Sequence, residues 1–266
     1  MLLVLMIAGN LNFATAYLLL QRRFRAVGRN GEVRLVAALI PASALAAFLL
    51  TCWHLYPTLG KGVRVALFET VSALTTTGFQ TVGYGEWSTA GVLVLIVLML
   101  VGGGTCSTAG GLKQSRVYLL WRALVWEVRR RGQPYAAVLP LRIWDGERPA
   151  SVDDAQLREA ALYGGLYVAT ILGGTLAIAA CGHSLQSALF ECASALGTVG
   201  LSVGVTSAQA PPAMLWTQIA CMLLGRLEFF VVLVSLAKIA RDVRDMGLGA
   251  WRGAGRASAV RQPQPG

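Results

Sequence analysis

The chain has 266 residues, of which 55% are hydrophobic and 14% are charged, and its formal net charge is +10. A soluble domain carries about 25% charged residues, so the composition excludes an ordinary soluble enzyme and a disordered chain. Uncharged runs occupy 1–21, 35–60, 87–112, 160–190 and 192–225. Each run is long enough to cross a bilayer, because a spanning helix takes about 20 apolar residues. The sequence therefore predicts an all-α integral membrane protein.

The basic residues lie in three clusters along the chain. Of 23 Lys and Arg residues, five lie in 22–34, nine in 113–158 and six in 238–261. Basic residues that flank spans mark the cytoplasmic side, so the charge indicates orientation and not the binding of nucleic acid. We expect a multi-pass protein of the inner (cytoplasmic) membrane, with 22–34, 113–157 and the C-terminus in the cytoplasm.

Two apolar stretches do not fit this alternation of sides. Residues 62–80 and 184–205 have external loops on both flanks, so neither can cross without inverting the charge pattern. Both are predicted to dip into the membrane and return, which requires protein or a water-filled cavity around their backbone. The spans themselves are predicted at about 2–21, 34–56, 88–112, 158–181 and 213–237.

An internal repeat relates the two dipping stretches. Residues 68–79 read FETVSALTTTGF and residues 190–201 read FECASALGTVGL, identical at seven of twelve positions at an offset of 122. Each copy lies between an inward-to-outward span and an outward-to-inward span. The repeat therefore predicts two span–pore loop–span units, preceded by one transmembrane helix.

The predicted organisation follows chain order. Because the chain opens in mid-membrane, we expect the rear part of a longer protein; the alternative is a half-size protein that pairs with a second copy. The predicted segments are 1–33 (last span of a preceding repeat and cytoplasmic link), 34–131 (repeat unit with pore loop 62–80 and intramembrane gating loop 102–111), 132–157 (cytoplasmic linker), 158–245 (repeat unit with pore loop 184–205) and 246–266 (disordered cytoplasmic tail).

The pore loops have the composition of a carbonyl-lined ion filter. A dehydrated cation needs oxygen ligands, which backbone carbonyls around a narrow axis supply, and glycine removes the steric penalty of such a backbone. The alternative is two ordinary Gly/Thr loops, but their repetition in register on the same side favours a filter. The candidate filter residues are Thr75, Thr76, Thr77, Gly78 and Phe79, with Gly197, Thr198, Val199, Gly200 and Leu201.

Residues 81–85 spell TVGYG, the potassium-channel filter sequence. The repeat pairs Gly200 with Gly78 and not with Gly83, and 81–85 lies on the way back out of the membrane. We therefore assign TVGYG to the outer vestibule. Glu69 and Glu191 lie two turns before the filter glycines and are expected to anchor the pore helices by hydrogen bonds.

A glycine-rich segment, 102–111, interrupts the span 88–112. It matches neither the Walker nor the dinucleotide phosphate-binding pattern. A broken helix at this depth lines a cavity and serves an ion site or gate; the alternative is a close helix crossing. The candidate gate residues are Gly102, Gly103, Gly104, Thr105, Ser107, Thr108, Gly110 and Gly111, together with Arg226.

Arg226 lies inside the last apolar segment. An ionisable residue at this depth is a functional-site hypothesis by default. The alternatives are a structural pair with Glu228 or a side chain that extends to the interface. We predict that Arg226 hydrogen-bonds the glycine-rich segment when the pathway is closed.

These motifs resemble the Trk/Ktr/HKT superfamily of potassium transporters, specifically the C-terminal half of its TrkH- and KtrB-like membrane subunits. SALTTTGF and SALGTVGLS match the third and fourth filter segments of the family. GGGTCSTAGG matches its gating loop, and GRLE at 225–228 matches its last helix, whose arginine faces that loop. The resemblance covers the chain up to about Asp245. The chain departs from the family pattern in its length, because family members have four units and this chain has two and the last span of another.

The resemblance implies potassium uptake through a filter in which the carbonyls of Thr76, Thr77, Thr198 and Val199 bind K⁺. It also implies a homodimer in membrane lipid and a cytoplasmic nucleotide-binding regulatory subunit similar to TrkA or KtrA. Potassium is then the transported ion, with no covalently bound cofactor. The alternatives are a non-conducting or incomplete assembly subunit, a Na⁺-permeable relative and an intramembrane enzyme. The enzyme would need a metal site or a catalytic dyad, and the sequence offers few ligands for one because His54 and His183 are its only histidines.

Overall fold

The computed structural model describes residues 1–105, 107, 109–132, 141–145, 148–207, 209–227 and 229–259. These segments are mostly helical, with one antiparallel pair of strands between residues 142 and 151. The elements are α1 (Leu2–Asn10), α2 (Phe13–Leu20), α3 (Phe24–Val27), α4 (Gly31–Ala47), a π-helical turn (Phe48–Cys52), α5 (Trp53–Leu55), α6 (Leu59–Leu74), α7 (Thr89–Leu100), α8 (Gln114–Arg131), β1 (Arg142–Asp145), β2 (Arg148–Ser151), α9 (Asp154–Ala180), α10 (Leu185–Leu196), α11 (Pro212–Leu227) and α12 (Phe229–Ala259).

Two continuous helices in the described segments are long and apolar enough to cross a membrane. Gly31–Leu55 joins α4, the π-helical turn and α5 over 25 residues, and Asp154–Ala180 has 27 residues. The first begins where the Asn30 side chain accepts the Glu32 N–H at 2.9 Å, which satisfies an otherwise unpaired donor at the helix start. Both lie at predicted spans, 34–56 and 158–181.

The predicted span 2–21 is not one straight helix. α1 and α2 meet at an angle of 116° across Leu11 and Asn12. The Asn12 side chain accepts the Ala14 N–H at 2.9 Å and so starts a new helix at Phe13. An uncharged run indicates how many residues can lie in the membrane, but it does not indicate whether they form one straight helix.

Two segments of the predicted organisation also differ in secondary structure. The linker 132–157 contains the β1–β2 hairpin, in which Arg142 pairs with Ser151. The segment 246–266, predicted to be disordered, continues α12 as far as Ala259. Alanine and arginine, which have high helix propensity, recur between residues 249 and 259.

The chain divides into two compact units, residues 1–226 and 227–266. In the first unit α6 and α10 run through the core: Leu74, Phe190 and Leu196 are fully buried. α7 packs against both helices, with Leu95 and Met99 buried between them. The described helix of the second unit is α12.

Large apolar side chains point outward from the helices of the first unit. A soluble monomer rarely exposes so much contiguous apolar surface, whereas a bilayer accepts it. The chain is thus an all-α integral membrane protein. Examples of these exposed side chains are Leu45, Leu49, Trp53, Leu93, Val97, Leu172, Leu176, Trp216 and Ile219.

Candidate ion-conduction site

The backbone takes the same unusual course after each pore helix. α6 ends at Leu74 and α10 at Leu196. Two residues later Thr76 and Thr198 each have a φ of 52°. A positive φ is strained for a non-glycine residue, and such strain concentrates at functional sites. The two left-handed threonines lie at the offset of 122 that the sequence repeat defines.

Glycines follow at matching positions. Gly78 has a φ of 75° and Gly200 a φ of 95°, a region that glycine occupies without steric cost. The turns before them are closed by equivalent bonds: the Thr77 N–H donates to the Ser72 carbonyl at 3.0 Å, and the Val199 N–H donates to the Ser194 carbonyl at 2.9 Å. Hydrogen bonding and backbone conformation thus repeat together.

The two predicted filter segments meet each other. A Cβ atom built on Gly78 would lie 2.0 Å from the carbonyl oxygen of Val199, so only glycine permits this approach. Both segments line one cavity of ≈ 1020 Å³, with Ala109 and Arg226 in the same wall. The predicted filter residues in the cavity lining are Thr75, Thr76, Thr77, Phe79, Thr198, Val199, Gly200 and Leu201.

Two of the predicted filter residues do not line the cavity. Gly78 packs against the Val199 carbonyl, as described. Gly197 caps α10, and a Cβ there would lie 2.5 Å from the Met99 carbonyl oxygen. Gly197 therefore allows α10 to approach the end of α7.

Glu69 is fully buried and holds the chain as it leaves the first filter segment. Its carboxylate accepts hydrogen bonds from the Thr81 N–H at 2.8 Å and the Tyr84 hydroxyl at 2.6 Å. Burial and the neighbouring Glu69 charge raise the pKa of the Tyr84 phenol, which keeps it protonated and able to donate. This confirms the predicted anchoring role of Glu69.

Glu191 makes the equivalent bonds in the second segment. It accepts the Val203 N–H at 3.0 Å and the Thr206 hydroxyl at 2.7 Å. Val203 and Thr206 correspond to Thr81 and Tyr84 at the offset of 122. The structural correspondence therefore continues five residues beyond the twelve that the sequence comparison aligns.

The TVGYG segment is hydrogen-bonded to Glu69 and does not line the cavity. Thr81 and Tyr84 contact Glu69, and Tyr84 is 4% exposed. Gly83 has no positive φ, and a Cβ there would meet nothing within 4 Å. The string thus lacks the close backbone approach that Gly78 makes.

The glycine-rich segment leaves α7 and returns to the same point. The Gly102 N–H donates to the Leu112 carbonyl at 2.8 Å and so closes the neck of the loop. The Gly111 N–H donates to the Gly225 carbonyl of α11 at 3.3 Å. A Cβ built on Gly110 would lie 2.1 Å from the Thr198 hydroxyl oxygen, so the loop touches the second filter segment.

Three residues outside the loop hold it, and the sequence analysis did not find them. Thr105 Oγ1 lies 2.5 Å from a carboxylate oxygen of Glu32 and 2.6 Å from Ser115 Oγ. The Gly104 N–H donates to the Asn10 carbonyl at 3.3 Å. One signal was available, because Glu32 is the only carboxylate in the basic segment 22–34.

Arg226 lies on α11 next to Gly225, whose carbonyl binds the loop, and it lines the cavity with Ala109. Ser107 belongs to the loop through its N–H bond to the Gly104 carbonyl at 3.1 Å. Thr108, a predicted gate residue, and Glu228, the alternative partner of Arg226, lie outside the described residues.

A family model described as a cation transport protein matches residues 1–243. The chain belongs to the TrkH family of cation transport proteins. This family comprises transporters and not enzymes, so the intramembrane-enzyme alternative is discarded.

Relatives of known name support the assignment. The Trk system potassium uptake protein TrkH of Vibrio parahaemolyticus is 32% identical over 191 residues, which is 71% of this chain and 38% of the relative. TrkH of Escherichia coli is 27% identical over 236 residues, 87% of this chain and 48% of the relative. The crystal structure of the potassium transporter TrkH from Vibrio parahaemolyticus matches with a TM-score of 0.73 at 27% identity, covering 88% of this chain and 50% of that one. The TrkH-family chain spans half or less of the length of these proteins.

Proposed function

We propose that this chain supplies two of the four filter strands of a potassium uptake pathway across the cytoplasmic membrane. The observation that carries the proposal is the pair of filter segments on one cavity. Each has a left-handed threonine followed two residues later by a left-handed glycine, at one constant offset. The names of the TrkH relatives supply the ion.

In this proposal K⁺ binds the carbonyls of Thr76, Thr77, Thr198 and Val199, which replace its hydration shell. Two buried carboxylates, Glu69 and Glu191, hold the segments that follow and so fix the filter backbone. Anchoring by buried hydrogen-bonded charges keeps the carbonyls in place without side-chain ligands.

The gate of the proposed pathway is the loop 102–111 with Arg226. The loop and Arg226 border the cavity that the filter segments line. The carbonyls of a glycine-rich loop suit a guanidinium, which has five donors and no acceptor. The Arg226 charge also adds an electrostatic barrier to K⁺.

The complete pathway needs two further filter strands, and by family resemblance the assembly is a homodimer. A cytoplasmic nucleotide-binding regulatory subunit similar to TrkA is proposed to dock on the basic segments 22–34 and 113–157. These segments carry much of the positive charge of the chain.

The test is ion uptake by the full-length protein that contains this chain, in a bacterial strain without potassium uptake of its own. We expect the unmodified protein to rescue growth at low K⁺. Gly78→Ser should lower the K⁺/Na⁺ uptake ratio, because a Cβ there collides with the Val199 carbonyl. Gly83→Ser is the matched control and should leave the ratio unchanged.

Three results would contradict the proposal. Absence of uptake by a correctly inserted full-length protein would favour a non-conducting assembly subunit. A changed ratio in Gly83→Ser with a normal ratio in Gly78→Ser would move the filter to TVGYG. Equal uptake of Na⁺ by the unmodified protein would make it a Na⁺-permeable relative.

A further inference from the structure

The two pore helices carry a serine at the same place, and these serines contact the segments that follow in different ways. Ser72 on α6 and Ser194 on α10 correspond at the offset of 122, and both are buried. We propose that they are positioning residues that make the two segments unequal ion ligands: Ser194 presents the Val199 carbonyl, whereas Ser72 withholds the Phe79 carbonyl. This inference rests on the proposed function, because it concerns how the filter binds its ion.

Ser194 fixes the peptide group between Val199 and Gly200. The Gly200 N–H donates to the Ser194 hydroxyl oxygen at 3.2 Å. In a trans peptide the N–H and the C=O point in opposite directions, so the Val199 carbonyl points away from Ser194. Its oxygen faces the other segment, because it lies 2.0 Å from the position of a Cβ atom on Gly78. Ser194 therefore holds a proposed K⁺ ligand in its orientation.

Ser72 acts on the last carbonyl of the first segment. Its hydroxyl donates to the Phe79 carbonyl at 2.7 Å, and the Ser72 side chain is fully buried. The Phe79 carbonyl is thus directed toward the pore helix. A carbonyl oxygen that accepts a hydrogen bond is a poorer cation ligand, because the positive end of the donor faces the oxygen. The first segment therefore offers the ion one carbonyl fewer at its outer end.

A pair of hydroxyl groups further supports the first segment. Thr75 Oγ1 lies 2.8 Å from Thr77 Oγ1, at hydrogen-bond distance. The corresponding residues of the second segment are Gly197 and Val199, which have no hydroxyl group. This bond cannot form there, so the orientation of the peptide groups in the second segment depends more heavily on Ser194.

The test measures K⁺ and Na⁺ uptake by the full-length protein in proteoliposomes. Ser194→Ala leaves the Gly200 N–H without its acceptor, and glycine allows the peptide group to rotate. We expect the K⁺/Na⁺ uptake ratio to fall about tenfold and the KM for K⁺ to rise. A tenfold change corresponds to about 1.4 kcal/mol, which lies within the cost of an unsatisfied buried donor.

Ser72→Ala should change the KM for K⁺ in the opposite direction. The Phe79 carbonyl loses its donor and becomes available to the ion, so we expect a severalfold lower KM. A merely structural role of the two serines predicts the same direction of change in both variants, and that result would refute the inference. The matched control is Ser151→Ala, which replaces an exposed serine of β2 and should leave the ratio and the KM unchanged.

Two further comparisons separate misfolding and failure of the proposed function from failure of this inference. If Ser194→Ala is not recovered as monodisperse protein, Ser194→Cys replaces it with the same expected direction, because a thiol is a weaker acceptor than a hydroxyl. Absence of selective K⁺ uptake by the unmodified protein would overturn the proposed function itself. Selective uptake by the unmodified protein, with the same ratio and KM in the variants of both serines, would overturn only the present inference.

Discussion

Gly78 and Gly200 of the proposed filter and Gly83 of TVGYG differ in what their positions require. Gly78 needs both a positive φ and the absence of a side chain, because its Cα faces the Val199 carbonyl. Gly200 needs only the positive φ, since no atom lies within 4 Å of its Cβ position. Gly83 needs neither. We therefore expect serine at position 200 to perturb the filter less than serine at position 78.

The repeat predicts from sequence which glycines belong to the proposed filter, because two copies that match in register single out the same position. Sequence also indicates that Glu69 and Glu191 are anchors. It does not give their partners, because Val203 and Thr206 differ in type from Thr81 and Tyr84. Any residue type except proline supplies a backbone N–H, and both tyrosine and threonine supply a hydroxyl. The hydrogen bonds to the two carboxylates are therefore equivalent although the residues differ.

Replacing Glu69 by Gln should destabilise the protein. The Thr81 N–H and the Tyr84 hydroxyl donate to different oxygens of Glu69. The amide of Gln replaces one of these oxygens by an NH2 donor, so that buried donors face each other and are left unsatisfied. A buried unsatisfied group costs about 1–3 kcal/mol, and we expect a lower unfolding temperature in detergent micelles. The matched control is Glu86→Gln, because Glu86 is exposed; an equal effect of the two changes would refute the anchoring role.

At the scale of elements, glycine content predicts a break in the span 88–112, and the structure places it from Val101 onward. The contacts that hold the broken segment are not predictable from local sequence. Glu32 and Thr105 are separated by 73 residues, and nothing in either neighbourhood specifies the other. Long-range polar pairs of this kind depend on how helices pack, which the hydropathy pattern alone leaves undetermined.

Replacing Arg226 by Ala should raise potassium flux through the full-length protein. In the proposed gate the change removes both a donor to the loop and a positive charge beside the cavity, so the closed state loses stability. Selectivity should stay unchanged, because the filter segments are intact. The measurement is K⁺ uptake in proteoliposomes.

The control for this experiment is Arg241→Ala on α12, whose guanidinium donates to the Ala237 carbonyl. A flux equal to that of the unmodified protein in Arg226→Ala would contradict the gate. A changed K⁺/Na⁺ ratio would instead place Arg226 in the filter.

At the scale of the whole molecule, clustering of charge predicts sidedness, and the uncharged runs predict how much chain lies in the membrane. Neither predicts the bend between α1 and α2 at Leu11–Asn12, since both flanking stretches are apolar. The bend is set by polar groups: Asn12 caps α2, and the Asn10 carbonyl binds the loop at Gly104. Polar contacts thus decide features that apolar content leaves open.

Sidedness can be measured with single introduced cysteines on a cysteine-free background of the full-length protein. A membrane-impermeant thiol reagent added to intact cells should label Lys61→Cys but not Arg25→Cys, because basic clusters face the cytoplasm. Both positions are exposed, so accessibility does not differ between them. Labelling of Arg25→Cys from outside would invert the proposed topology.

The contact between Gly110 and Thr198 has a consequence for the proposed transport cycle. The loop cannot change position without altering the surroundings of a strained filter residue. If loop position and ion occupancy are thermodynamically coupled, each changes the equilibrium of the other by the same factor. An ion bound in the filter then also shifts the equilibrium between loop positions. Because potassium and sodium bind the filter differently, they should differ in how long the pathway stays open.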